Sequence, residues 1–386
     1  MNSGLARVGI VGTGFVADLY MRSLKTFPDI TVASAFDVDP DRLSAFSSYW
    51  NVSAAQSLDD LLHGPNSPDL ILNLTNPSSH FQVSRACLNA GKHVYSEKPL
   101  ATNMRDAFEL CELAENHSLM LASAPCSVLG ETAQTVWLAL RQNVVGNIRL
   151  VYAELDDDFI SQAPYKTWVS ESGAPWPYRD EFKTGCTLEH AGYYLTWLIV
   201  MFGSVEKVVA ASASLIEDKS DNSTPTAPDF SSATLFFRSG VVARLTCSIV
   251  APHNHSLKII GDAGVLEVDR SWDNQAAVRI RRRYAIRRRL INSPFASRFR
   301  MKGPTHPKVR RWGAAAMNFA LGPAEMVAAL RASRPCRLSA ANALHLNEVT
   351  LAIQNGGGLQ YMQTACPQME PMPWAQPNVS RIGGDS

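Results

Sequence analysis

The sequence predicts an α/β protein of two domains: a doubly wound parallel sheet at the N-terminus, then an α/β domain built on an open, mostly antiparallel sheet. Three observations predict it. The chain has 386 residues, more than one ordinary domain of ~100–200 residues holds. Its first third alternates short, apolar, β-rich runs with helically spaced segments, the pattern of right-handed βαβ units covered on both faces. After Pro125 that alternation stops, and β runs follow one another across short turns. The expected boundaries are residues 1–124, residues 125–365, and a loose Pro-, Gln- and Gly-rich tail over 366–386.

The elements follow in order. Residues 8–11 form a short β-rich run, and residues 15–26 have helical spacing. Residues 30–37 read as the second strand. Pro40 then stands at the first position of a helix, where its missing N–H costs nothing. A short helix over 57–62 ends at Gly64-Pro65. The buried run 70–74 is a third strand, and the helix 78–90 stops at Gly91, a residue suited to a left-handed cap. Strands over 93–96 and 119–124 flank a helix over 103–116. In the second domain a helix over 132–142 and a strand over 148–155 precede a Pro/Trp/Tyr-rich loop, 164–178, and a long helix, 188–202. Strands follow over 205–213, 232–237, 241–250, 257–260, 265–268 and 277–280, and a last helix over 339–353.

Composition excludes several classes. Hydrophobic residues make up 46% of the chain, which rules out intrinsic disorder. A net charge of +1 argues against a protein that coats nucleic acid, and no nucleic-acid motif is present. No apolar run approaches the ~18–20 residues of a membrane span, and no secretory signal is visible. The seven Cys are spread out with no C-x-x-C pair, so reduced thiols and a cytoplasmic location are expected. One asymmetry stands out. Between Arg279 and Arg311 there are 13 Lys and Arg and no acid. Two readings stand: a receptor for a phosphate or an anionic lipid, or a solvated strand and loop or partner surface.

The first strand runs into Gly12-x-Gly14-x-x-Ala17 and opens a helix. Gly12 permits the tight turn, Gly14 lets the backbone approach a pyrophosphate, and Ala17 allows close helix–strand packing. The free N–H groups around Gly12, Thr13, Gly14, Phe15 and Val16 then face the phosphates at the positive end of the helix. Asp37 ends the second strand, where its carboxylate can accept hydrogen bonds from ribose hydroxyls and repel a 2′-phosphate. A Rossmann domain binding NAD, with NADP disfavoured, is the expectation.

Two further segments, Asn73-Leu-Thr-Asn-Pro-Ser-Ser-His80 and Gly91-Lys-His-Val-Tyr-Ser-Glu-Lys-Pro99, carry a family resemblance, as do Gly261-Asp-Ala-Gly-Val-Leu-Glu267, residues 318–322 and residues 344–348. Together with the glycine turn they resemble the glucose–fructose oxidoreductase/inositol dehydrogenase (Gfo/Idh/MocA) family over about residues 5 to 360. The resemblance implies hydride transfer between a nicotinamide and a secondary alcohol or ketone of a sugar, sugar phosphate or nucleotide sugar. It implies a cofactor site that includes Thr75, Asn76, Pro77, His80, Glu97 and Lys98, a cis Lys98–Pro99 bond, and a homo-oligomer formed through the second sheet. Lys98, at a strand C-terminus, would hydrogen-bond the reacting oxygen and stabilise its developing alkoxide.

The chain also departs from the family. Where relatives carry an Asp and a His four residues apart, this sequence reads Gly185-Cys-Thr-Leu-Glu-His190-Ala-Gly192-Tyr-Tyr194. Anchoring on Gly192 makes His190 and Tyr194 the pair, on one helical face. Either could move the proton, and Glu189 would then point elsewhere as a structural residue. The family's Asn and Arg after the sixth strand are replaced by Ala124-Pro-Cys-Ser-Val. Two alternatives therefore stay open: an NAD-dependent glycosidase of the same fold, and a catalytically silent nucleotide-binding regulator. No metal is expected. The acidic run 154–158 reads as a strand end, and His253 and His255 as loop or strand residues without other ligands nearby.

Overall fold

In the computed structural model, residues 5–217, 219, 226–310 and 312–376 are described. The first sheet contains β1 (Ala6–Val11), β2 (Ile30–Phe36), β3 (Leu70–Asn73), β4 (His93–Ser96) and β5 (Leu121–Ser123), in the order β2-β1-β3-β4-β5. All four pairings are parallel. Parallel strands are buried on both faces, and β3 accordingly has no exposed residue. The direction of winding reverses beside β1, so the crevice beyond the C-terminal ends of β1 and β3 is the switch point where open α/β sheets take ligands.

Local chemistry sets the helices. Asp39 caps Pro40–Trp50, accepting from the N–H groups of Asp41 and Arg42, both at 3.1 Å. Ser57 and Asn103 cap the helices Leu58–His63 and Met104–Asn116 in the same way.

The second sheet holds β6 (Ile148–Asp156), β7 (Val205–Ala213), β8 (Phe230–Phe237), β9 (Val242–Ser248), β10 (Leu257–Gly261), β11 (Gly264–Val268), β12 (Val278–Ile286), β13 (Arg289–Asn292), β14 (Ser297–Phe299) and β15 (Gly358–Tyr361). Its order is β13-β12-β11-β10-β6-β9-β8-β7-β15, with β14 on β12. Only β6 and β9 pair in parallel; the other pairings are antiparallel. The alternating burial of β8 and β9 places one face on the core. Against that face lies the helix Gly192–Phe202, buried at every residue but Met201.

The domains share their interior. Tyr20 packs on Phe319 with ring centroids 5.5 Å apart, and the Phe319 N–H donates to Ser23 Oγ at 3.0 Å. Among the described residues no helix is long and apolar enough to cross a membrane.

One expectation changes here. Residues 366–376 are not a loose tail. Met369 and Ala375 are buried, the Met372 N–H donates to Gln134, and Arg141 donates to the Ala375 carbonyl. Residues 377–386 lie outside the described residues. The basic segment agrees with the strand-and-loop reading: it runs through the outer strands β12–β14 and the loop after them, with part of its charge matched by nearby acids, Arg281 by Glu267 at 2.9 Å and Arg279 by Asp269. Arg311 lies outside the described residues.

Candidate active site

A cavity of about 510 Å³ opens between the two domains at the switch point. One wall comes from the glycine turn and the segments after β3 and β4: Gly14, Phe15, Val16, Thr75, Asn76, Pro77, Glu97 and Lys98. The opposite wall comes from the second domain and includes Trp176, Glu181, Glu189, His190, Tyr193 and Trp272.

The turn is shaped for close approach of a ligand. Gly12 has φ +92°, and a Cβ there would lie 2.7 Å from the backbone of Leu74 and Thr75, so only glycine fits. A Cβ on Gly14 would meet nothing within 4 Å, because that backbone faces open space. Thr13 and Asp37 stand behind this surface. Asp37 accepts from the Thr13 N–H at 2.7 Å, the Thr13 hydroxyl at 3.0 Å and the Asp39 N–H at 2.9 Å. It fastens the turn to the end of β2, beside Arg42, which does line the cavity.

His80 is placed differently from the expectation. It is fully buried, and its ring nitrogens lie 2.7 and 2.8 Å from the carbonyl oxygens of Pro99 and Thr75. Burial pushes its pKa down, against those two carbonyls. It braces two cavity-forming segments to one another and does not itself face the cavity. The bond it helps to hold, Lys98–Pro99, is cis.

Lys98 points across the cavity and forms an ion pair with Glu189. Burial alone would lower the ammonium pKa. Glu189 first, and then Tyr193, Glu181 and Glu97, hold it well above the ordinary value, so Lys98 is a permanent cation and hydrogen-bond donor. Glu97 is itself fixed by the Tyr20 hydroxyl at 2.6 Å. Glu181 is lifted to about 7 by burial and then by the Glu189 carboxylate.

The second-domain residues require a correction. Tyr194 does not face the cavity: its ring packs on Trp197, with centroids 5.4 Å apart, and its hydroxyl donates to the His255 carbonyl. Glu189 and Tyr193 face the cavity instead. A π-helical turn, Thr187–Ala191, precedes Gly192–Phe202, and the face turned to the cavity carries Glu189, His190 and Tyr193. Glu189 and Tyr193 keep the four-residue spacing, one position earlier than anchoring on Gly192 places the pair. His190 does line the cavity. Its Nδ1 lies 3.1 Å from Asp157 Oδ2. Burial lowers its pKa, but the Asp157 carboxylate more than offsets this and leaves it raised.

Asp157 also stands near His253 and His255, which sequence spacing had left without neighbours. None of the described residues between Arg279 and Arg310 lines the cavity.

Comparison with known proteins decides the family. Residues 6–124 match the family model described as oxidoreductase family, NAD-binding Rossmann fold. Residues 133–267 match the GFO/IDH/MocA C-terminal domain. The chain belongs to the Gfo/Idh/MocA family of oxidoreductases. It is 24% identical to trans-1,2-dihydrobenzene-1,2-diol dehydrogenase from Mus musculus, over 69% of this chain and 75% of that protein. It is 29% identical to myo-inositol 2-dehydrogenase from Thermotoga maritima, over 30% of this chain and 34% of that one. Among solved structures, the WlbA dehydrogenase from Bordetella pertussis, in complex with NADH and UDP-GlcNAcA, superposes with a TM-score of 0.71 at 20% identity, covering 95% of this chain and 99% of that one. A 3-ketoreductase from Actinomadura kijaniata, with NADP and TDP-benzene, gives 0.71 at 21%, covering 91% and 97%.

As a Gfo/Idh/MocA oxidoreductase the chain is an NAD(P)-dependent enzyme, and its residues fit that cofactor. Gly12 admits the turn, Gly14 leaves room for the pyrophosphate, and the helix that starts at Phe15 has no side-chain cap at Gly14. The Asp37 carboxylate puts negative charge at the end of β2, behind the turn, with the Arg42 guanidinium beside it lining the cavity.

Proposed function

We propose that this enzyme oxidises or reduces a ring secondary alcohol or ketone of a sugar-type substrate, with nucleotide sugars the favoured class. The observation that carries the reading is Lys98, a buried cation held by Glu189 in the wall between the glycine turn and the second domain. Bound at the turn, the nicotinamide cofactor supplies or accepts the hydride. The protein's own residues do the rest.

Lys98 donates a hydrogen bond to the reacting oxygen and stabilises negative charge as it develops there. His190 carries the proton: its imidazole lines the cavity, and the Asp157 carboxylate stands 3.1 Å from its Nδ1. Tyr193 is held protonated by burial and contributes as a donor, not as a base. Trp176 and Trp272 give the far wall flat apolar faces, which suit the faces of a sugar ring. The size of the cavity and the nucleotide-sugar ligands of the superposed dehydrogenase support the substrate class.

A retained Lys98–Glu189 pair facing an open cavity favours an enzyme over a silent regulator. We also propose a homo-oligomer through the second sheet, supported by the exposed Val209, Leu359 and Tyr361 on the adjoining strands β7 and β15. Sedimentation velocity tests that assembly. The functional test is a panel of free sugars, sugar phosphates and nucleotide sugars, with NADH absorbance and product mass both read. Turnover of a nucleotide sugar with a mass change of two hydrogens supports the reading. Glycoside cleavage with no net NADH change supports the glycosidase alternative.

A further inference from the structure

Behind His190, at the end of the second sheet, three side chains converge that lie far apart in sequence. β6 and β9 run parallel, so both chains leave the sheet at the same edge. The chain after β9 then crosses the end of β6, bridged by the Asn254 N–H to Asp156 at 2.9 Å and the Asp156 N–H to Asn254 at 3.1 Å. This crossing places His253 Nδ1 3.7 Å and His255 Nε2 3.8 Å from Asp157 Oδ1. All three ligand atoms lie within 4.8 Å of one another.

These separations are too long for hydrogen bonds, yet Asp157 is 7% exposed and His255 only 2%. The His255 Nε2 atom is buried and has no hydrogen-bond partner. Its other nitrogen, Nδ1, lies 3.2 Å from Ser271 Oγ. Ser271 Oγ can accept from that nitrogen or donate to it; where it accepts, Nε2 turns a lone pair toward the Asp157 carboxylate, a conflict of two acceptors in a buried place. A cation between the two groups removes it.

We propose that Asp157, His253 and His255 form a binding site for one divalent transition-metal ion of the zinc type. The donor set, two imidazoles and a carboxylate, suits such ions over magnesium or calcium. Zinc bonds of ~2.0–2.2 Å at tetrahedral angles set donor atoms roughly 3.4 Å apart, so small side-chain rotations close the site. The outer contacts are in place as well. Ser271 orients His255, the Tyr194 hydroxyl anchors the His255 backbone carbonyl, and Asp158 accepts the His253 N–H at 3.0 Å. Such partners fix ring orientation at metal sites. His253 is 43% exposed, which leaves one side open to water. The second Asp157 oxygen faces His190, so the ion would fix the residue that orients His190.

The test uses the full chain, stripped with a chelator and titrated with Zn²⁺ against a chromophoric competitor. One equivalent should bind with a micromolar or tighter Kd, and millimolar Mg²⁺ should not displace it. His253→Ala and His255→Asn should each weaken binding at least ~10-fold, as loss of one ligand does. His253 is surface-exposed and outside the cavity, so His253→Ala should fold; retained NADH binding checks this, and it decides alone if His255→Asn does not fold. Absence of stoichiometric Zn²⁺ binding overturns the proposal. So does binding that His253→Ala leaves unchanged, which would place the ion on other residues such as the free cysteines.

Discussion

Replacing Glu189 by Gln tests the pair on which the site is built. The change keeps side-chain size and removes one charge. The Lys98 and Glu189 side chains are 17% and 4% exposed, so the ammonium left behind cannot be fully rescued by water. Breaking a buried pair by removing one partner costs ~3–5 kcal/mol. Glu97 and Glu181 remain near Lys98, which favours the lower end, about 3 kcal/mol at pH 7. Urea unfolding of wild type, Glu189→Gln, Lys98→Met and the double variant measures it, with m-values compared to confirm the same transition. Once Lys98 is gone, Glu189→Gln should cost little, leaving a coupling of about 2 kcal/mol. The pH dependence has a definite sign. In wild type the folded-state pKa of Lys98 is raised, so its contribution is full below the unfolded value of ~10.4 and is lost as pH climbs through the folded one. In Glu189→Gln the main raising partner is missing, and the deficit relative to wild type should shrink as pH rises toward deprotonation of Lys98. Strictly additive losses, or a deficit independent of pH, would refute the argument.

Other outcomes follow from the same geometry. NAD(H) should bind more tightly than NADP(H) by fluorescence titration, because the Asp37 charge stands at the end of β2; equal or tighter NADP(H) binding contradicts this. Tyr194→Phe should leave turnover near wild type while costing about 1–2 kcal/mol in unfolding experiments, since it strips the His255 carbonyl of a buried donor. Tyr193→Phe should do the reverse, holding stability while kcat falls about tenfold or more, and a fully active Tyr193→Phe excludes it from the chemistry. Gly12→Ala should destabilise by at least about 2 kcal/mol, as positive φ and contact with the Leu74 backbone demand. Gly14→Ala should unfold like wild type yet bind NADH more weakly, its methyl standing where the pyrophosphate approaches.

What could be read in advance divides along physical lines. The parallel sheet was legible because each strand and helix carries its own period and its own stop signal, from Pro40 to Gly91. The glycine turn and Lys98 were legible because their chemistry is local: a positive φ, a close approach, a charge at a strand end. His190 was reached by anchoring on Gly192, but the tyrosine that shares its face is Tyr193, not Tyr194. Beyond the π-helical turn before Gly192, Tyr193 stands where Tyr194 was expected, and Glu189, read as structural, faces Lys98. Composition alone carries no mark of that wider turn. Asp157, His253 and His255 escaped because their meeting depends on the one parallel pairing in a largely antiparallel sheet. His80 has the residue type of a binding group, but its position behind Thr75 and Pro99 makes it a brace. The tail around Met369 and Ala375 was misjudged because its Pro-rich composition hides two small buried anchors.

The central claim is that Lys98 polarises the reacting oxygen beside a nicotinamide bound at the glycine turn. The most direct measurement is a single-turnover experiment with NADH bound to enzyme and a ketone of the active substrate class mixed in, comparing wild type with Lys98→Met. Lys98→Met should keep the NADH affinity of wild type and slow the hydride-transfer step by ~10²–10⁴. An unchanged rate with NADH bound would show that the oxygen is polarised by another group and contradict the account.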